Sequence, residues 1–355
     1  MNFVRLIEWL GEDWLYLGGG FVIGLAFGFF AQRSRFCLRS AVISFSRRQF
    51  GTVLAIWLFT FSAAVAGTQA LILSGLLDVS ETKHLASPGS LSGAIIGGLM
   101  FGMGMILSRG CSSRLLVLAA TGNLRALLSG LIFAVFAQAS LHGFLSPLRD
   151  RLAALWIVTP DDGTNLLDRL YLPQWAGLAI GLVWLAAALW YARRNRTKPA
   201  LALHGVMAGL MVAAGWLFTY SMSVSSFRII AVKSLTFTGP SADTLMFLLT
   251  HPENPFDFNV GLVPGVFAGS FLAAWLAREL KLQGFKDGHS MKRYIAGAAL
   301  MGFGGMLAGG CAVGAGVTGG SVFALVGWTA LVSMWVGAAV TDCFFDRESC
   351  SIARP

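Results

Sequence analysis

Charge is scarce in this chain. Asp, Glu, Lys and Arg make up 12% of its 355 residues, and only 17 of them are acidic. That is about half the charge a soluble domain carries on its surface. With 56% of residues hydrophobic and a mean hydropathy of +0.70, a soluble enzyme, a disordered chain and a secreted disulfide scaffold are excluded. The usual signatures of catalysis are missing too: no Walker loop, HExxH or GxSxG occurs. His84, His142, His204, His251 and His289 are scattered, none at metal-ligand spacing from a cysteine, and read as loop or interface residues. Gly314–Gly319 spells GxGxxG, but no strand precedes it and no βαβ unit surrounds it, so it is not a dinucleotide fingerprint. Nothing in the sequence asks for a metal or an organic cofactor.

What is abundant is glycine, 43 residues, set in long runs without charge. A helix crossing the hydrocarbon core needs about 20 apolar residues. Uncharged windows run over Trp14–Gln32, Gly51–Leu77, Leu85–Ser108, Ala126–Leu148, Leu170–Ala192, Pro199–Phe227, Phe258–Ala277 and Tyr294–Thr341. The last is more than twice the length of one crossing and is interrupted by the glycine-rich Gly309–Gly320, so it holds two spans. The expectation is an all-α polytopic membrane protein with about nine transmembrane helices and short broken or re-entrant helices besides. The first window lacks a basic leader and runs into Arg33-Ser34-Arg35, so it is read as a span and not as a cleavable signal.

The net charge of +9 has a topological explanation. Of the 26 Lys and Arg residues, 19 fall in the loops on one side of this arrangement and 7 on the other. Basic loops stay cytoplasmic, which puts the N-terminus outside and the C-terminus inside, and leaves the charge as little evidence for a nucleic-acid partner.

Shifting the chain by 200 residues lays Gly97, Gly102, Gly104, Leu107, Gly110 and Cys111 on Gly297, Gly302, Gly304, Leu307, Gly310 and Cys311. A weaker echo sets Gly24, Phe27, Gly28, Ser34, Arg35 and Cys37 on Gly98, Phe101, Gly102, Ser108, Arg109 and Cys111. A fourth copy starts at Gly205 and Gly209, with Phe218 in the cysteine's place. The third span runs inward and the eighth outward, so matching segments are antiparallel. Residues 14–148 and 199–341 therefore read as inverted repeats, joined by a connector, 149–198, that holds the fifth span. Residues 1–13 are the outer N-terminus and 342–355 the inner tail. Inverted repeats with broken helices place the substrate near the midplane.

Cys37, Cys111 and Cys311 sit where uncharged helices end, and the segments beyond them are too short to cross the membrane. A short helix starting at such a break aims its free N–H groups and positive dipole end at the gap, which suits an anion. Gly110 and Gly310 let the backbone approach it. A neutral thiol donates a weak hydrogen bond through a polarizable sulfur, fitting a soft sulfur-bearing anion. Arg33, Arg35, Arg39, Arg109 and Arg114 cluster beside two of the cysteines. Arg35 and Arg109 are repeat-equivalent, and their forked donors suit oxyanions at an inner mouth. Cys343 and Cys350 lie outside this pattern and read as ordinary reduced thiols. Acids are too few for a convincing proton-driven carrier, and Asp243 reads as a loop residue.

Arg33-Ser34-Arg35-Phe36-Cys37, the Gly110-Cys111 turn and Ala308-Gly309-Gly310-Cys311 resemble the YeeE/YedE family of bacterial sulfur-compound transporters, over roughly residues 14–341. The resemblance implies thiosulfate uptake across the bacterial inner membrane through an hourglass-shaped central path. Cys37, Cys111 and Cys311 would pass the ion along by S–H contacts. It further implies a cytoplasmic sulfur-carrier partner of the SirA/TusA type. This chain departs from the pattern at the second motif, where Ser108-Arg109-Gly110-Cys111 replaces Ala-Gly-Gly-Cys. An enzyme role is not expected, but alternatives stay open from sequence alone: a membrane sulfur-transfer or redox protein using cysteine persulfides, or a transporter of another sulfur or selenium oxyanion.

Overall fold

The amide groups of a chain this apolar have no water to bond within a bilayer, so they must close their hydrogen bonds inside helices. The structure, a computed structural model, describes residues 11–79, 82–159, 163–226, 230–250, 257–284 and 288–345. The segment before Gly11, His251, Cys350 and the rest of the tail beyond Phe345 lie outside the described residues, as does the side chain of His289. Among the described residues nine helical stretches are long and apolar enough to cross a membrane, as the uncharged windows predict. The longer helices are α1 (Glu12–Ser34), α2 (Leu38–Ser46), α3 (Thr52–Leu73), α4 (Leu91–Leu107), α5 (Ser112–Ala120), α6 (Leu124–Leu141), α7 (Trp175–Arg194), α8 (Pro199–Ser225), α9 (Thr238–Leu249), α10 (Phe258–Leu276), α11 (Gly288–Leu307) and α12 (Leu325–Phe345). A π-helical segment, Ala312–Thr318, follows α11, and the only named strands among the described residues are Gly89–Ser90 and Ile157–Val158, paired antiparallel.

Lipid tails are as apolar as leucine, so helices in a bilayer associate through close packing, not through the hydrophobic effect. Glycines supply that closeness. Gly20, Gly24 and Gly28 of α1 lie on the backbone of α10 at Phe258, Leu262 and Val266, while Gly261, Gly265 and Gly269 of α10 lie on Leu17, Phe21 and Leu25. The ascending numbers on both sides make the two helices parallel. At the centre α4 and α11 cross antiparallel, Gly97 against Gly304 and Gly104 against Gly297. A methyl group added at Gly304 would come within 2.7 Å of the Gly97 carbonyl oxygen.

The packing pattern is unchanged when α1 is exchanged with α8, α3 with α10, α4 with α11 and α6 with α12. The pair α1–α10 becomes α8–α3, and α4–α12 becomes α11–α6; all four pairs are in contact. The two self-related pairs run antiparallel. In one, Tyr16 stacks on Phe218 and Phe30 faces His204. The other is the α4–α11 crossing. Helix α7 packs outside this arrangement, with Gly181 on Ala66 of α3.

Four short elements, α2, α5, α9 and the π segment, each begin just after a break. Their N-cap residues are Cys37, Cys111, Phe237 and Cys311. This corrects the sequence alignment, which put Phe218 in the cysteine's place. Phe218 lies inside α8 and packs on Tyr16 and Phe258. The fourth break carries a longer linker whose last residues, 230–237, are not helical, so an ungapped comparison stops too early.

Candidate functional site

The three cysteine breaks share one backbone device. Arg35 (φ 58°), Arg109 (φ 58°) and Gly309 (φ 78°) adopt the left-handed conformation at the helix end. The residue after each closes the loop: Phe36 N–H donates to Ala31 O at 3.2 Å, Gly110 N–H to Met105 O at 3.1 Å and Gly310 N–H to Gly305 O at 2.8 Å. This six-to-one bond is the Schellman closure, usually built on glycine. It turns the chain so that the next residue, a cysteine in all three copies, caps the following helix. Gly110 sits on Leu115, and Gly310 on the Ala315 backbone, where a Cβ would be 2.7 Å from the amide nitrogen.

All three thiols are buried, with Cys37 6%, Cys111 1% and Cys311 0% exposed. Cys311 Sγ accepts the N–H of Gly314 at 3.3 Å, taking the place a serine oxygen holds in an ordinary N-cap. Cys111 Sγ lies 3.4 Å from Ser113 Oγ. Cys37 and Cys111 are in side-chain hydrogen-bond contact with each other, so the structure brings two of the three thiols together. The antiparallel α4–α11 crossing keeps the third apart: the end of α4 that leads to Cys111 lies beside Gly297, whereas the end of α11 that leads to Cys311 lies beside Gly93.

Between the two ends stand three buried rings, Phe27, Phe101 and Phe237, exposed by 1% or less. The Phe27 and Phe237 centroids are 5.5 Å apart. Beside them are buried hydroxyls with no hydrogen-bond partner, Ser112 Oγ, next to Cys111, and Thr238 Oγ1, next to Phe237. Buried polar atoms are normally satisfied, so these two helix starts each carry a hydroxyl left open.

Arg35 and Arg109 do not reach the thiols. Both are exposed, and Arg35 Nη2 pairs with Glu279 Oε1 at 3.4 Å. Arg114 is the guanidinium whose charge acts on Cys37. Its Nη1 donates to Gln32 Oε1 at 3.4 Å, and Gln32 Nε2 donates to Glu279 Oε2 at 3.1 Å. Sequence position hid this, because Arg114 follows Cys111 by most of a helical turn and acts on Cys37, which is distant in the chain. Arg47, just past α2, grips the buried Asp342 of α12 with two bonds, at 2.9 and 2.8 Å, and so ties the Cys37 element to the frame.

At the opposite end a cavity of about 930 Å³ opens between α3, α8 and the connector, lined by Gln69, Asp78, Asn165, Asp168, Tyr220 and Val322. Its floor adjoins the π segment: Gln69 Nε2 donates to Ser321 O at 2.8 Å, and Trp216 Nε1 to Ser321 Oγ at 3.3 Å. The GxGxxG stretch lies within this π segment except for Gly319, which follows it, and is buried throughout. Among the described residues no group of three or more His, Cys, Asp or Glu is placed to hold a metal. Cys343 is exposed. Asp243 is not in a loop: it lies on α9, bonded to Asn259 of α10.

This arrangement, with buried thiols at helix starts inside an apolar bundle, has relatives of the same extent. The thiosulfate transporter TsuA of Escherichia coli (strain K12) is 27% identical over 341 residues, covering 90% of this chain and 91% of the relative. The thiosulfate transporter TsuA of Spirochaeta thermophila is 26% identical over 334 residues, covering 90% of this chain and 96% of the relative. The profile of a family described as sulphur transport matches residues 33–340, the whole stretch from the first cysteine break to the last helix. The chain is a multi-pass membrane protein, and it belongs to the sulphur transport family.

Proposed function

We propose that this protein takes up thiosulfate across a bacterial inner membrane, with the Arg-rich face in the cytoplasm and the N-terminus outside. The observation that carries the reading is the placement of Cys37, Cys111 and Cys311: three buried thiols, each capping a short helix at a repeat-equivalent break. Helix starts aim partial positive charge at the gap, and neutral S–H groups donate to a soft anion that thiolates would repel. Ser112 and Thr238 supply hydroxyls for its oxygens. The ion enters by the large cavity, meets Cys311, passes the ring of Phe27, Phe101 and Phe237, and leaves past Cys37 and Cys111 under the pull of Arg114. Arg35 and Arg109 add charge at the inner mouth without touching the ion. Gly110 and Gly310 let the backbone close around it. The path is formed by two inverted repeats, 14–148 and 199–341, and the basic face hands the ion to a carrier protein of the SirA/TusA type or releases it free. No covalent step is involved.

Uptake of labelled thiosulfate by cells lacking their own sulfate and thiosulfate importers tests this. Wild type restores uptake, and Cys311→Ala, expressed at the same level, removes it. Full uptake by the triple variant at Cys37, Cys111 and Cys311 would sink the relay.

One observation favours a second reading. Contact between Cys37 and Cys111 is what a dithiol needs for disulfide or persulfide chemistry. Fast alkylation of either at neutral pH would support sulfur transfer; sluggish alkylation supports the relay.

A further inference from the structure

One acid stands apart from the ion pairs at the helix ends. Asp243 projects from α9 toward the first turn of α10, where Asn259 Nδ2 donates to its Oδ2 at 2.8 Å. The other amide atom, Asn259 Oδ1, is buried and has no hydrogen-bond partner. An ionised carboxylate needs a donor, whereas a protonated one needs an acceptor. A flip of the Asn259 amide supplies either, so this pair can satisfy Asp243 in both protonation states.

The charged and titratable groups facing Asp243 are Asp257 at the start of α10, Lys233 on the extended segment and His142 at the end of α6. Lys233 is already engaged: its Nζ lies 2.9 and 2.8 Å from the two carboxylate oxygens of Asp257. Burial lifts the Asp243 carboxyl above the ordinary carboxylate range, and the Asp257 charge adds to this, against the Asn259 bond and the charges of Lys233 and His142. With both acids ionised, the trio of Asp243, Asp257 and Lys233 is net negative and opposes an incoming dianion. One proton on Asp243 makes it neutral.

The cluster adjoins the path. The extended segment that carries Lys233 continues to Leu235, whose carbonyl accepts from Thr318 Oγ1 at 2.6 Å in the π segment capped by Cys311. Thr236 packs on Gly314 in the same segment, and Phe237 is one of the three central rings.

We propose that Asp243 is a proton-binding site on the outer half of the path, and that it must take up a proton for the anion to pass the Lys233–Asp257 pair. Uptake is then tied to the acidity of the outer side. The proposal rests on the transport reading above.

The test is the initial rate of thiosulfate uptake by importer-deficient cells as outer pH is varied. In wild type the rate falls about tenfold per pH unit above the Asp243 midpoint. Asp243→Asn removes this titration and loses the tenfold-per-unit fall, and Asp243→Glu restores it. If Asp243→Asn fails to reach the membrane, Asn259→Ala serves instead. It withdraws the amide from both forms, and the bond to the charged carboxylate is the stronger of the two, so the midpoint moves to higher pH. A flat wild-type profile, an Asp243→Asn profile like wild type, or an unmoved midpoint in Asn259→Ala overturns the proposal while leaving transport standing. No uptake by wild type at any pH overturns the transport reading, and the proposal with it.

Discussion

The Cys37 and Cys111 breaks at the Arg-rich end and the Cys311 and Phe237 breaks at the other end occupy equivalent places in the packing, yet they differ in chemistry. The first end has two thiols in contact, with a guanidinium beside them. The second has one thiol and one phenyl ring. The backbone devices differ in the opposite sense: the second end uses Gly309 for its left-handed turn, while the first uses Arg35 and Arg109. The difference teaches that the scaffold of a broken helix and the group displayed on it vary independently. Symmetry keeps the breaks, and each end then carries its own chemistry.

The strongest way to break this comparison is oxidation. A membrane-permeant thiol oxidant should join Cys37 to Cys111, remove two alkylatable thiols and stop uptake, and a reductant should restore both. Among the described residues no thiol lies beside Cys311, which should keep its thiol. Loss of the Cys311 thiol in place of the pair would reverse the roles of the two ends.

A smaller effect is expected at Arg114. A hydrogen bond to a charged group is worth about 1.5–3 kcal/mol, so Arg114→Gln should raise the half-saturating thiosulfate concentration by about tenfold or more. Arg114→Lys should fall between the two, because it keeps the charge but loses the fork. Arg35→Gln and Arg109→Gln, exposed at the mouth, should change it by less than about threefold, as expected of exposed charges. Saturation curves in the same cells measure all four, and a larger effect at Arg109 than at Arg114 would contradict the assignment.

The smallest effect concerns stability. A non-glycine residue in the left-handed region costs roughly 1 kcal/mol, so Arg109→Gly should stabilise the purified protein by about that amount. Gly309→Ala should destabilise it by a similar amount. Thermal melting in detergent reads both, and a stabilising Gly309→Ala would show that the turn is not built on that conformation.

Much of this molecule was legible in its sequence. The uncharged windows marked all nine crossings found among the described residues, and the 200-residue shift found the Cys111 and Cys311 breaks. Both signals are local: hydropathy sets which segments enter the bilayer, and a left-handed turn before an N-cap leaves a fixed spacing. Three features were not legible. Phe237 was missed because the fourth break carries a longer linker than the others. Arg35 and Arg109 looked closest to the thiols in sequence, but the left-handed turn swings them outward while Arg114, on the next helix, turns in. Asp243 looked like a loop acid because α9 is too short to register as a span.

The sequence by itself determined that this chain lives in a membrane, how often it crosses and where three of its four breaks fall, because bilayer insertion and turn geometry depend on short stretches of residues. Only the tertiary structure decided which groups meet. Contact between Cys37 and Cys111, the meeting of Phe27 with Phe237 and the pairing of Asp243 with Asn259 join residues of different elements. Those meetings are set by how glycine-notched helices interlock across the bundle, and no local signal encodes that.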